Sequence, residues 1–167
     1  LGEPARFGLM WDIDQWVLEK SIATLAEGQY QSEDVFYCIN LSLPSLLHVD
    51  FARFLTDLVD KHQFDSRRLT LEINENELFS AHPKIQEKVL ELSCKGFCFT
   101  VDDFGRGYNS YTHLKNCPVQ NVKIDGLFVQ SMMYDTVNST MVESITEIAK
   151  GFNKKTIASH TESLETL

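Results

Sequence analysis

The chain has 167 residues, 43% of them hydrophobic and 23% charged, and a net charge of −9. That is the composition of a single ordinary globular domain with enough apolar side chain to bury a core. The acidic balance argues against a nonspecific nucleic-acid binder, which needs a basic surface, and admits a small phosphate ligand only where cations neutralise it locally.

The first periodic segment runs from Asp12 to Ala26: Asp12 and Gln15 resemble a capping box, and Ile13, Val17, Ile22 and Leu25 recur at helical spacing. Val35–Leu41 is rich in β-formers and predicts a strand. Ser42 before Pro44 reads as an N-cap, and Leu43, Leu46, Leu47, Phe51, Phe54, Leu55 and Leu58 predict one amphipathic helix behind it. Arg68–Asn74 alternates as a second strand, and Pro83–Lys95 reads as a helix stopped by Gly96. Strands are then expected at Cys98–Asp103 and Asn121–Asp125, with a short helical stretch, Tyr111–Lys115, between them. A longer helix, Asn138–Lys150, precedes a fifth strand at Thr156–Ser159 and a helix start near Glu162.

No apolar run approaches the roughly 18 residues that span a bilayer. Leu1–Phe7 carries no signal-peptide core. The expectation is a cytoplasmic chain, or the cytoplasmic portion of a membrane-bound sensor protein. Cys38, Cys94, Cys98 and Cys117 make no C-x-x-C pair, so they read as reduced, mostly buried thiols rather than zinc ligands.

Strands alternating with helices predict parallel βαβ units in a single domain over residues 1–167. Alternation alone leaves a doubly wound sheet open beside a barrel. The polar residues favour the barrel. With Leu71, Ile73, Val101, Val122 and Ile124 facing the helices, Thr70, Glu72, Asn74, Thr100, Asp102, Lys123 and Asp125 face inward, and Asn40 takes the matching place on the first strand. Four consecutive strands thus aim polar groups inward near their C-terminal ends, where barrel enzymes place their chemistry. Five strands fall short of the eight that close a barrel, so the expected fold is α/β, a TIM-like (β/α) barrel present as a partial barrel of about five units.

Asn40, Glu72, Asp102 and Asp103 are hard oxygen donors of the kind that hold Mg2+ or Mn2+, and carboxylates crowded without a cation would repel. An ammonium at Lys123 suits a phosphate oxygen or an attacking water. Taken singly, each residue has a structural explanation: a strand-to-loop turn for Asp102 and Asp103, a pairing with Glu72 for Lys123, a backbone contact for Asn40. Taken as a set, in order and in phase, they point to function.

The segments Asn40-Leu41-Ser42, Leu71-Glu72-Ile73-Asn74-Glu75, Asp102 to Ser110 and Pro118 to Asp125 resemble successive motifs of the EAL-domain family, written there as NLS, LEITE, DDFGTGYSS and PVDxLKID. Gly8-Leu9-Met10 leading to Trp16-Val17-Leu18-Glu19 is similar to the family's helix after its first strand. The resemblance implies a barrel that hydrolyses one phosphodiester of cyclic di-GMP to linear pGpG with Mg2+ or Mn2+. It implies metal-binding roles for Asn40, Glu72, Asp102 and Asp103, and catalytic roles for Lys123, Asp103 and Glu162. It implies a phosphate or water contact for Lys123 and a loop-steadying role for Glu75; Asp125, facing the same way as Lys123, and Arg106, beside the site, are the further expected substrate contacts.

The departures from the family pattern lower the expected activity. The Glu-Ala-Leu strand, whose glutamate is a metal ligand, and the last strands have no counterpart in this sequence. Ser159 stands where an acid is expected, His160 is one residue out of phase with it, and Asn74 and Arg106 each replace a Thr. The expectation is weak or no hydrolysis. A catalytically degenerate cyclic di-GMP receptor or a protein-interaction signalling domain is the alternative. Attachment to a larger multidomain signalling protein and homodimer formation are further expectations.

Overall fold

The computed structural model describes residues 3–27, 36–80, 82, 84–107 and 110–161. In chain order the elements are α1 (Glu3–Ala26), β1 (Tyr37–Asn40), α2 (Leu43–Leu46), α3 (Phe51–His62), β2 (Leu69–Asn74), α4 (Glu75–Leu78), α5 (Lys84–Cys94), β3 (Cys98–Phe104), α6 (Ser110–Asn116), β4 (Asn121–Ile124), α7 (Gly126–Ser131), α8 (Thr136–Gly151) and β5 (Lys155–Ala158). A 3-10 turn, Ser66–Arg68, leads into β2. None of these helices is long and apolar enough to cross a membrane.

The five strands are ordered β1-β2-β3-β4-β5, as in the chain. β1 runs parallel to β2, β3 to β4 and β4 to β5. A doubly wound sheet reverses its strand order at a switch point. This order never reverses, which is the winding of a (β/α) barrel, and the fold is a partial barrel.

By internal contacts the chain divides into two compact units, Leu1–Glu72 with Pro83–Cys98, and Ile73–His82 with Phe99–Leu167. In the first, Leu18 and Ile22 of α1, Leu46, Phe51 and Leu55 of α2 and α3, Leu69 and Leu71 of β2, and Ile85, Val89 and Leu92 of α5 are fully buried. In the second, Phe99, Val101 and Phe104 of β3, Val122 of β4, Val129 of α7, and Ile145 and Ala149 of α8 are fully buried. Each fully buried aliphatic or aromatic side chain of this size contributes about 1.5–3 kcal/mol, so these apolar faces dominate what holds each unit together.

Several sequence expectations need correction. α1 begins at Glu3, so Asp12 lies inside the helix and caps nothing. Pro4 occupies the first turn, where a missing N–H costs little. The single helix expected from Leu43 is two, α2 and α3, broken at 47–50. Leu47 and Phe51 remain four apart, so the apolar spacing runs on through the break. There the backbone turns, with His48 Nδ1 accepting the Asp50 N–H at 3.3 Å.

Two short helices, α4 and α7, escaped the periodicity because neither is long enough to show a period. α8 starts at Thr136 rather than Asn138, because Asp135 accepts the Val137 N–H at 2.8 Å. The expected strand start at Val35, helix start at Pro83 and helix near Glu162 lie outside the described residues. The thiols are not mostly buried: Cys38 and Cys94 are exposed and Cys98 is intermediate, with Cys117 alone of the four buried.

Burial pushes the Cys117 thiol up to about 11, against a smaller downward pull from the Lys154 ammonium. That ammonium donates to the carbonyls of Cys117 and Val119 at 2.8 and 2.9 Å, and its own pKa is lowered by burial. The folded thiol titrates above its ordinary value of 9.0, so its contribution to stability is complete below that value. It is lost as pH rises through about 11. A thiol reagent at neutral pH is expected to modify Cys94 in the folded chain and Cys117 only after denaturation, as peptide mapping of labelled protein will show. Labelling of Cys117 at the rate of Cys94 in folded protein would contradict this packing.

Candidate active site

Asn40 is the last residue of β1, and the parallel register sets it opposite Glu72 of β2. The rung is closed by the Leu41 N–H, which donates to the Glu72 carbonyl at 2.8 Å. Glu72 is buried and Asn40 is exposed. Immediately after Asn40, Ser42 caps α2 and gives its hydroxyl to Asp14 Oδ2 at 2.6 Å, while its N–H donates to the same oxygen at 3.0 Å. Asp14 is buried, and it ties the chain following Asn40 to α1. Sequence reasoning missed Asp14. Its signal was a carboxylate on the apolar side of an amphipathic helix.

In the second unit the decisive feature is one extra residue in β3. Val101 pairs with Val122, but the next rung pairs Phe104 with Ile124. Asp102 and Asp103 therefore oppose the single residue Lys123, which is a β-bulge. Asp103 adopts the left-handed conformation, φ 54°, which Asp tolerates better than most residues. A regular strand would send adjacent side chains to opposite faces; the bulge removes Asp103 from that alternation. The Asp103 N–H donates to Asp102 Oδ1 at 2.9 Å, and Lys123 Nζ lies 3.4 Å from the same oxygen. Asp103 Oδ2 accepts from Asn74 Nδ2 at 3.0 Å. Asn74 does two jobs, since its Oδ1 accepts the Asn76 N–H at 3.0 Å and caps α4.

The turn after β3 is fixed by Glu75. Its Oε2 accepts the N–H groups of Gly105, Arg106 and Gly107 at 3.2, 3.1 and 2.8 Å. Three N–H groups converging on one carboxylate oxygen form an anion nest, here filled from within the protein. Glu75 is 1% exposed. Gly105 has φ 116°, and a Cβ there would sit 2.8 Å from Phe128 Cε2 and 3.0 Å from Ile145 Cδ1, so this position needs glycine for its backbone and for space. Arg106 forms an ion pair with Asp125 through Nε and Oδ2, and Nη2 donates to Oδ1 at 3.1 Å. Asp125 lies just past β4 and caps α7 by accepting the Leu127 N–H at 2.8 Å.

Ser159 is buried, and its hydroxyl has no hydrogen-bond partner among the described residues. His160 follows in the left-handed conformation, φ 56°, with its ring against the backbone of Gly126. Glu162 lies outside the described residues. Among the described residues no three His, Cys, Asp or Glu side chains gather closely enough to hold a metal ion. The donors at the bulge nonetheless suit a hard divalent cation: Asp102 Oδ2 and Asp103 Oδ1 accept no hydrogen bond from a described residue, and each is a carboxylate oxygen.

Glu75→Ala would remove a buried carboxylate from three amide donors of a part-buried turn, a loss of about 3 kcal/mol in unfolding free energy for hydrogen bonds to a charged group. Urea denaturation of the two proteins measures it. A change below about 0.5 kcal/mol would mean that water replaces the carboxylate and that Glu75 does not hold the turn.

The chain is 30% identical over 159 residues to cyclic di-GMP phosphodiesterase PdeF of Escherichia coli (strain K12), covering 95% of this chain and 21% of that protein. It is 31% identical over 160 residues to cyclic di-GMP phosphodiesterase PdeB of Shewanella oneidensis, covering 96% of this chain and 19% of that protein. The chain thus spans about a fifth of the length of these relatives. The structure of the PaMucR phosphodiesterase in its c-di-GMP complex superposes with a TM-score of 0.89 at 24% identity, covering 97% of this chain and 66% of that one. The FimX EAL domain from Pseudomonas aeruginosa bound to c-di-GMP gives 0.85 at 26% identity, covering 95% of this chain and 63% of that one. The sequence profile of the EAL domain matches residues 4–167, and the chain belongs to the EAL-domain family.

Proposed function

We propose that this chain is the cyclic di-GMP-binding part of an EAL phosphodiesterase, poised to bind the nucleotide with Mg2+ or Mn2+ and to hydrolyse it weakly or not at all. The observation that carries the reading is the β3 bulge, which opposes two adjacent aspartates to one lysine beside a turn held by a buried carboxylate. The relatives named for cyclic di-GMP supply the substrate class.

Asp102 and Asp103, with Asn40 and Glu72 on the family's pattern, are the residues that would hold the cation. A divalent cation supplies Lewis-acid stabilisation of negative charge on the phosphate oxygens. Lys123 is the phosphate or water contact: its ammonium already lies 3.4 Å from Asp102 Oδ1, so it is oriented by the carboxylate whose neighbourhood the phosphate would enter. Glu75 fixes the backbone of the turn following Asp103, which limits the conformations from which Asp103 must be recruited. The reaction adds water across one phosphodiester: the P–O3′ bond breaks, a P–O bond to the water oxygen forms, and linear pGpG results.

Weak turnover follows from Ser159. The family pattern puts an acid there, and a hydroxyl cannot act as a carboxylate ligand or general base at neutral pH. Losing an acid costs the chemical step more than it costs binding, because the charge it manages develops in the transition state. A receptor that binds the nucleotide without consuming it is the second reading, and the buried Ser159 hydroxyl, which has no partner among the described residues, is the observation that favours it. Glu162, Asp103 and Lys123 remain the candidate catalytic residues, and we place the chain in the cytoplasmic part of a larger signalling protein.

The test is calorimetric titration of cyclic di-GMP into the chain with Mg2+, followed by chromatography of the recovered nucleotide. The expected result is binding, turnover well below roughly 1 s−1, and affinity about tenfold weaker for Lys123→Ala. Folded protein that gives no binding heat would refute the proposal. Turnover at ordinary enzyme rates would refute the role given to Ser159.

A further inference from the structure

We propose that Arg106 is a positioning residue: through its ion pair with Asp125 it latches the turn after β3 in place before any ligand arrives. The turn needs a latch. Gly105 and Gly107 flank Arg106, and glycine-rich backbone has the most conformational freedom to lose on ordering. Glu75 takes hold of the backbone of this turn from one side. Arg106 takes hold of it through a side chain, in another direction, at Asp125.

Asp125 is a fixed post. Its N–H donates to the Phe104 carbonyl at 3.2 Å, and its Oδ1 accepts the Leu127 N–H at 2.8 Å. The end of β3 and the start of α7 therefore both hold it. Its side chain is 3% exposed, against 50% for Arg106. A carboxylate so deeply buried is costly without a countercharge, which separates this pair from the ion pairs on the surface of the chain that contribute little. Arg53–Asp50 and Lys150–Glu147 are of the latter kind, with both partners well exposed.

The guanidinium meets the carboxylate at two atoms, Nη2 donating to Oδ1 and Nε in charge contact with Oδ2, a side-on approach that a planar guanidinium allows and a lysine ammonium does not. The family pattern has Thr in place of Arg106, so a long cationic latch at this position marks this chain. Its guanidinium is already committed to Asp125. A phosphate could draw on Arg106 only by competing with a buried carboxylate, so the effect of Arg106 on a ligand passes through the shape of the turn.

Amide hydrogen exchange in the full chain without nucleotide tests the latch. Wild type, Arg106→Ala, Asp125→Asn and the double variant form a thermodynamic cycle. Asp125→Asn removes the charge but leaves an amide oxygen able to accept the Leu127 N–H. Each single variant is expected to speed exchange at 105–107 by about tenfold, with the double variant no faster than either, because the two residues make one interaction. Protection in β4 and α7 stays unchanged. Arg106→Thr, at a half-exposed position, supplies a second variant should Arg106→Ala fold poorly.

Unchanged exchange at 105–107, additive effects in the double variant, or an equal loss of protection throughout the chain would each overturn the proposal. A second arm rests on the nucleotide reading above. Calorimetry of cyclic di-GMP should show the same loss of affinity in both single variants and in the double. Weaker binding by Arg106→Ala with exchange at 105–107 unaltered would make Arg106 a direct ligand contact and refute the latch. Absence of binding by wild type would refute the proposed function and leave the exchange result standing.

Discussion

The polar end of the second unit depends on one extra residue in β3. Two steps on β4 correspond to three on β3, and the surplus falls at Asp102–Asp103. Without it, adjacent aspartates would leave the sheet on opposite faces. With it, Asp103 takes up a left-handed backbone, its N–H turns to Asp102, and Lys123 stands opposite both. Such a backbone carries a cost of order 1 kcal/mol or more in a residue other than glycine. The surroundings offset it: Asn74 holds the Asp103 carboxylate, Glu75 takes up the following amides, and Phe104 returns to the core fully buried.

The remainder of this end follows from the need to satisfy backbone N–H groups where strands stop. Asn74, at the end of β2, and Asp125, just past β4, each cap a short helix with a side-chain oxygen. Each also holds a second partner, Asp103 for Asn74 and Arg106 for Asp125. Local capping and the candidate chemistry therefore share residues. A substitution at Asn74 or Asp125 would act on helix start and site together, and only charge-specific variants separate the two effects.

Much of this was legible in the sequence. The order of strands and helices followed from period and from Gly and Pro at junctions, and the inward placing of polar residues chose the barrel over a doubly wound sheet. The strand order, which never reverses, agrees with that choice. The set Asn40, Glu72, Asp102, Asp103 and Lys123 was picked out by type and spacing, and the structure makes Asn40 and Glu72 register partners and opposes Lys123 to the aspartates. Other features could not be read. The bulge adds a residue without leaving any mark on the alternation around it. The break between α2 and α3 preserves the apolar spacing on either side. Asp14 and the Arg106–Asp125 pair are long-range contacts, joining residues 28 and 19 positions apart, and no local pattern records them.

The proposed chemistry requires the aspartates at the bulge to be the oxygen donors for a divalent cation, and crystals grown with Mn2+ and cyclic di-GMP test that most directly. An anomalous-difference map is predicted to show manganese within about 2.2 Å of carboxylate oxygens of Asp102 or Asp103. Nucleotide bound with no manganese peak at either aspartate, or manganese held elsewhere, would contradict it.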